Sequence, residues 1–248
     1  MQYRALIFDV DGTLADTERH GHRVAFNDAF RRAGLDWEWS EALYGDLLKT
    51  MGGKERMAHY VRTQQPAWRP AEPMSEALAA LHRDKTAIYA TLVEAGRVPL
   101  RAGVVDLVRQ ARAADVRLAI ATTTSRSNVD VLLATCFPPD LADAFSVIAS
   151  AEDAPMKKPA PDVYFNALAR LGLSPLGVLA IEDTALGLRA ARAAGLDCLV
   201  TWNDYTKDED FSGAIGVVPD LTAARFSSGD GVLAWEGHGF LSGATARC

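Results

Sequence analysis

Short runs of apolar and β-branched residues recur along the chain, in RALIF (4–8), RLAIA (117–121), SVIAS (146–150), GVLAI (177–181) and DCLVTW (197–202). Each predicts a buried strand. Between most of them apolar positions repeat at helical spacing, in GVVDLVRQARAA (103–114), DVYFNALARLG (162–172) and ALGLRAARAAG (185–195). The last two end on glycine, a common helix terminus. Strand and helix in alternation predict an α/β fold with a doubly wound parallel sheet.

Residues 15–98 break the alternation. HRVAFNDAFRRAG, KERMAHYVRTQQ and SEALAALHRDKTAIYATLVEAG carry helical periodicity without a clear strand, and PAWRPAEP reads as an internal turn. The expected organisation is therefore a core of residues 1–14 and 99–224, an α-helical insert (15–98) after the first strand, and an extension (225–248) of unknown role. Glycine and serine are scattered through that extension, and its pattern assigns no element.

Composition narrows the class of partner. With 248 residues, 49% of them hydrophobic, the chain can bury a full core. A net charge of −6 gives no footprint for nucleic acid or an anionic membrane, so an anionic ligand must be met by a local cluster of positive charge. No apolar stretch approaches the roughly 18 residues of a membrane span, and MQYRALIFDVD fits neither a signal nor a transit peptide. Cys136, Cys198 and Cys248 lie far apart with no C-x-x-C, which argues against a disulfide framework or a thiolate zinc site. The expectation is a cytoplasmic monomer.

In open α/β sheets, ligands sit at the carboxyl ends of the strands. Asp9 and Asp11 follow the first run, Thr122, Thr123 and Thr124 the second, Lys157 and Lys158 the third, and Glu182 and Asp183 the fourth. Carboxylates suit Mg²⁺, which shares its shell with water and substrate phosphate. Hydroxyls and a lysine suit phosphate oxygens. Residues two apart on an extended chain point the same way, about 6–7 Å apart, so Asp9 and Asp11 can face one group. Gly12 then allows a sharp turn. Two such acids repel unless a cation or a proton intervenes. Either arrangement serves catalysis: one carboxylate attacks phosphorus, and a neighbouring acid protonates the leaving alcohol. A calcium loop does not fit, because glycine is fourth and Thr13 fifth where that pattern wants glycine sixth. Singly, these residues have plainer readings: a turn for Asp-x-Asp, a helix cap within Thr122–Ser125, acids at a helix start for EDTALG, and a solvated charge for Lys157.

Taken together and in order, DVDGT (9–13), the hydroxyl at Thr122, KKPAPD (157–162) and IEDT (181–184) resemble the four motifs of the haloacid dehalogenase superfamily over about residues 4–200. The resemblance implies a Rossmann-like core with a mobile cap formed by the helical insert. It makes Asp9 the nucleophile that forms an aspartyl-phosphate, and Asp11 the acid and base for the leaving oxygen and the attacking water. It places Mg²⁺ on Asp9, the Asp11 backbone carbonyl and Asp183, with Glu182 beside it, and sets Thr122 and Lys158 on the phosphoryl group. The second acid, Asp11, is similar to the phosphatase and phosphomutase branches. More narrowly, DTERHGHRVAFNDAF, MGGKERMAHY and ATTTS resemble Calvin-cycle phosphatases that act on xylulose 1,5-bisphosphate, an inhibitor of Rubisco. That implies a functional link to Rubisco without a stable complex. A β-phosphoglucomutase-like mutase, a general sugar-phosphate phosphatase and a noncatalytic binding protein are the alternatives.

Substrate choice falls to the insert and the core edge. Glu18, His22, Lys54 and Arg56 in the insert, with Thr123 and Arg126 in the core, are the candidate contacts. A second phosphate needs its own cation, which Lys54 or Arg56 in GGKER would supply. Alternatively, GGKER begins an exposed helix. Trp37 and Trp39 are expected to pack a loop, and His59, His82 and His238 show no metal-ligand spacing.

Overall fold

The computed structural model describes residues 1–50, 52–229 and 231–237; His238 and Cys248 lie outside them. The chain forms two compact units, one running to Asp16 and resuming at Pro99, the other Thr17–Val98. In the first unit, strands β1 (Gln2–Tyr3), β2 (Ala5–Phe8), β3 (Arg117–Ala121), β4 (Val147–Ala149), β5 (Val178–Glu182), β6 (Asp197–Thr201) and β7 (Gly216–Val218) precede β8 (Phe226–Gly229) and β9 (Val232–Trp235). Helices α1 (Arg23–Arg32), α2 (Glu41–Leu48), α3 (Gly53–Gln64) and α4 (Met74–Glu94) belong to the second unit. The first unit holds α5 (Val104–Ala113), α6 (Arg126–Cys136), α7 (Asp162–Leu171) and α8 (Ala185–Ala193).

Six strands form one sheet in the order β4-β3-β2-β5-β6-β7, every pair parallel. All four residues of β2 are fully buried, as a strand covered on both faces requires. Its neighbours β3 and β5 lie on opposite sides, so the winding reverses at β2 and opens a crevice beyond the carboxyl ends of these strands. The helices bury stripes against the sheet. Val104, Leu107, Val108 and Ala111 give α5 an apolar face at helical spacing, while Val163, Tyr164, Ala167 and Leu168 of α7 join Leu188 and Ala191 of α8 over Ala5, Ile7 and Ala180. Ser125 caps α6 and Thr184 caps α8, each accepting a backbone N–H three residues on.

The division between units falls after Asp16, two residues beyond the sequence expectation. Ala15 pairs with Leu100, and the Asp16 amide donates to the Pro99 carbonyl at 3.0 Å, so these residues extend the core. In the helical unit, Phe26, Phe30, Trp37, Trp39 and Tyr60 form an aromatic core. Asn27 brackets the Trp39 backbone, donating to its carbonyl at 3.0 Å and accepting from its amide at 2.8 Å.

The extension supplies two strands that its glycine and serine content conceals. β8 pairs with β9, and β9 with β1, in a separate antiparallel sheet. Among the described residues no helix is long and apolar enough to cross a membrane.

Candidate active site

Four of the expected residues meet at the carboxyl ends of β2, β3 and β5. The Lys158 ammonium donates to Asp9 Oδ1 at 2.6 Å, to the Ala121 carbonyl at 2.9 Å and to Glu182 Oε1 at 2.7 Å. Its three N–H groups thus tie the ends of three adjacent strands together. Tyr164 on α7 also donates its hydroxyl to Glu182 Oε1, and its ring lies 5.1 Å from the ammonium. Burial disfavours the Lys158 charge, but Asp9 and Glu182 outweigh it and hold the amine protonated beyond its usual range.

Asp183 follows Glu182 and is held from two sides. The Thr13 hydroxyl donates to Oδ1 at 3.4 Å and the Asn203 amide to Oδ2 at 2.8 Å. Gly12, at φ +81°, passes so close that a Cβ there would lie 2.2 Å from Asp183 Oδ2, so only glycine fits. Burial pushes the Glu182 carboxyl up to about 7 against the pull of Lys158, with Asp9 adding to the rise. Burial, then Asp9 and Glu182, raise Asp183 well above the usual carboxylate range.

Asp9, Glu182 and Asp183 each place a carboxylate oxygen within 4.8 Å of the others. Three buried carboxylates face one ammonium, an excess that a divalent cation could balance. The donors are all hard oxygens, the set that suits Mg²⁺. The Asp11 carboxylate is not part of this cluster, and the expectation there concerned its backbone carbonyl. Asp11 is half-buried on the loop leaving β2.

At the end of β3, Thr122 is buried and its hydroxyl oxygen accepts from the Thr124 amide at 3.2 Å. Thr123 is half-buried. Arg126 is exposed, and its guanidinium pairs with Asp130 one helical turn on, at 2.8 Å. Lys157 is exposed, in keeping with a solvated charge.

In the helical unit the candidates separate. Tyr44 donates to Glu18 at 2.5 Å and accepts from Arg56 at 3.0 Å, while Arg56 Nε donates to the Leu47 carbonyl at 3.2 Å. Arg56 is therefore a buried member of a hydrogen-bonded chain, not the start of an exposed face. Lys54, two residues earlier, is exposed. His22 stacks on Tyr89 at 4.0 Å, and its Nδ1 accepts from Lys85 at 2.9 Å. Burial, then Lys85 and Arg56, hold the His22 imidazole neutral well below its usual titration range. Lys85 is itself buried, 4.9 Å from the Phe26 ring. Sequence reasoning passed over it, although a lysine in register with Leu81, Ile88 and Tyr89 on a buried helix stripe is the signal that finds it.

A parallel sheet with buried acids and a lysine at its switch point is a site for phosphoryl chemistry. The model of the haloacid dehalogenase-like hydrolases matches residues 3–195, and the chain belongs to this family, as its four motifs imply. It is an enzyme, a phosphatase. Protein CbbY of Rhodobacter capsulatus is 49% identical over 224 residues, covering 90% of this chain and 96% of that protein. The plasmid CbbY of Cupriavidus necator is 45% identical over 255 residues, covering 98% and 100%. Among solved structures, CbbY of Rhodobacter sphaeroides in complex with phosphate has 43% identity and a TM-score of 0.74, covering 89% of this chain and 96% of that one. A mutant of that protein in complex with xylulose-(1,5)bisphosphate has 42% identity, the same TM-score of 0.74 and the same coverage, 89% and 96%.

Proposed function

We propose that the chain is a Mg²⁺-dependent sugar-phosphate phosphatase that converts xylulose 1,5-bisphosphate to xylulose 5-phosphate through an aspartyl-phosphate on Asp9. The observation that carries the reading is the buried cluster of Asp9, Lys158, Glu182 and Asp183 at the sheet's switch point. Similarity to a CbbY structure holding xylulose bisphosphate supports the substrate.

Asp9, Glu182 and Asp183, with the Asp11 carbonyl, would hold Mg²⁺, whose charge lets an anionic nucleophile meet an anionic phosphate. Lys158 fixes Asp9 Oδ1, so Oδ2 attacks phosphorus. As the bond to the sugar oxygen breaks, Asp11 gives that oxygen its proton. Asp11 then takes a proton from the water that attacks the aspartyl-phosphate, which releases phosphate and restores Asp9. Thr122 supplies a donor for the phosphoryl oxygens and Lys158 a positive charge beside them, with an N–H only where one of its three bonds is exchanged, in a reaction that depends mainly on positioning and charge. In the helical unit, Arg56 and Lys85 are the buried cations, with Glu18 and His22 beside them, and they are the groups we assign to the second phosphate. Removing the bisphosphate would relieve inhibition of Rubisco, and no stable complex with it is required.

The test is the initial rate of phosphate release with Mg²⁺ from xylulose 1,5-bisphosphate, ribulose 1,5-bisphosphate, β-glucose 1-phosphate and several monophosphates, with Asp9→Asn as control. Strong preference for the xylulose bisphosphate, lost in Asp9→Asn, is expected. Broad, weak turnover would leave the phosphatase chemistry and overturn the substrate. An isomeric sugar phosphate with little free phosphate would make the enzyme a mutase.

A further inference from the structure

Arg101 lies outside the acid cluster, yet it spends its side chain on the segments that surround it. Nη1 donates to the carbonyls of Gly12 at 2.5 Å and Thr201 at 2.8 Å, and Nη2 to those of Trp202 at 2.7 Å and Pro219 at 2.6 Å. Both terminal nitrogens thus use both of their N–H groups on backbone. Only a planar guanidinium reaches four acceptors in this way; an ammonium has three donors on one nitrogen.

Three of those carbonyls belong to the two segments that grip Asp183, and the fourth, of Pro219, follows β7. Gly12 precedes Thr13, whose hydroxyl donates to Asp183 Oδ1, and Trp202 precedes Asn203, whose amide donates to Oδ2. Asn203 is further locked by its own turn, its backbone N–H donating to Thr206 Oγ1 at 3.0 Å and its Oδ1 accepting from the Tyr205 backbone N–H at 2.9 Å. A carboxylate held through both oxygens by segments tied to one guanidinium has a single orientation.

We infer that Arg101 is a positioning residue of the active site, aiming the Asp183 carboxylate through Thr13 on one side and Asn203 on the other. The inference rests on the proposed role of Asp183 in holding Mg²⁺. Partners that orient metal ligands typically change affinity or activity about 10–100-fold when removed.

The test is Mg²⁺ titration by calorimetry of the wild type, Arg101→Lys and Asn203→Ala, with circular dichroism and melting to verify folding. Folded Arg101→Lys is expected to bind Mg²⁺ at least ~10-fold more weakly, with kcat lowered by a similar factor and KM for sugar phosphate changed less than about 3-fold. Asn203→Ala cuts the same chain at its last bond without touching the clamped carbonyls, and is expected to weaken Mg²⁺ alike. If Arg101→Lys fails to fold, Asn203→Ala decides. Wild-type Mg²⁺ affinity in the folded variants would overturn the inference and leave the metal reading standing. Absence of Mg²⁺ binding by the wild type would overturn that reading, and the inference with it.

Discussion

Lys158 and Asp9 meet at 2.6 Å in a site where each side chain is about nine-tenths buried, and the same ammonium holds Glu182 at 2.7 Å. Lys158 is thus the counter-charge that lets two acids share the ends of adjacent strands. Replacing it by methionine keeps the length and removes the charge, leaving two buried carboxylates facing each other. Breaking a buried pair in this way typically costs about 3–5 kcal/mol, and loss of one charged contact to the reacting group about 10²-fold or more in rate. Lys158→Met is therefore expected to melt at lower temperature without Mg²⁺ and to lose at least ~100-fold in kcat. Turnover near that of the wild type would show that Lys158 serves the fold alone.

Much of this was legible in the sequence because of where the residues fall. β2, β4 and β5 are buried throughout and β3 and β6 from their second residue on, so they read as apolar runs, and the acids, hydroxyls and lysine stand out where those runs stop. β7 escaped notice because it offers only two valines between Gly216 and Pro219. Tyr164 reads as one more apolar residue on the α7 stripe, and only the fold reveals its hydroxyl aimed at Glu182. Arg101 and Asn203 act through backbone carbonyls and a loop, which leave no spacing pattern.

The cations of the helical unit separate by burial, and that gives a substrate prediction. Lys54 is exposed, whereas Arg56 and Lys85 are buried with their donors directed to Tyr44, Leu47 and His22. A charge kept out of water acts more strongly on an anion than one at the surface. Lys85→Met is expected to raise KM for a sugar bisphosphate by about 10-fold, on the order of 1.4 kcal/mol, and to change KM for a monophosphate little. Lys54→Ala is expected to leave both nearly unchanged. Equal losses for bisphosphate and monophosphate in Lys85→Met would assign Lys85 to packing of the helices.

His22 makes stability depend on pH. Burial, Lys85 and Arg56 keep its imidazole neutral well below the ordinary value of 6.5. Below about pH 6.5 the unfolded chain takes up a proton at this residue that the folded chain does not, so stability falls as pH falls toward the folded value. Above about pH 7 neither state is protonated there and the contribution is flat. His82, shifted in the same direction chiefly by burial, adds to the effect. Stability is expected to be lower at pH 5.5 than at pH 7.5, with His22 contributing to the loss. Urea denaturation at both values should show a smaller drop in His22→Gln than in the wild type. An equal drop would show that other groups set the pH dependence.

The extension makes the sharpest contrast between sequence and structure, and it can be removed. Leu233 of β9 is fully buried, the Trp235 amide donates to the Met1 carbonyl at 3.1 Å, and Gln110 of α5 donates to the Phe226 carbonyl at 2.8 Å. The Trp235 ring also lies against Gly216 of β7, where a Cβ would come within 2.8 Å of it. These contacts bind the extension to β1, which leads into the amino end of β2, whereas the acids lie beyond its carboxyl end. Burying one leucine contributes roughly 1.5–3 kcal/mol, and each hydrogen bond about 1 kcal/mol. With the two hydrogen bonds named, that is about 3.5–5 kcal/mol, so truncation after Ala224 should lower the melting temperature by roughly 7–20 °C, at about 2–4 °C per kcal/mol for a chain of this size. At a temperature where the shortened chain is folded, kcat should stay within about 2-fold of the wild type, because catalytic loss follows from disturbed charge and positioning at the site. An unchanged melting temperature would mean that these strands add no stability. A folded but inactive truncation would mean that the extension reaches the chemistry by a route its pairing with β1 does not provide.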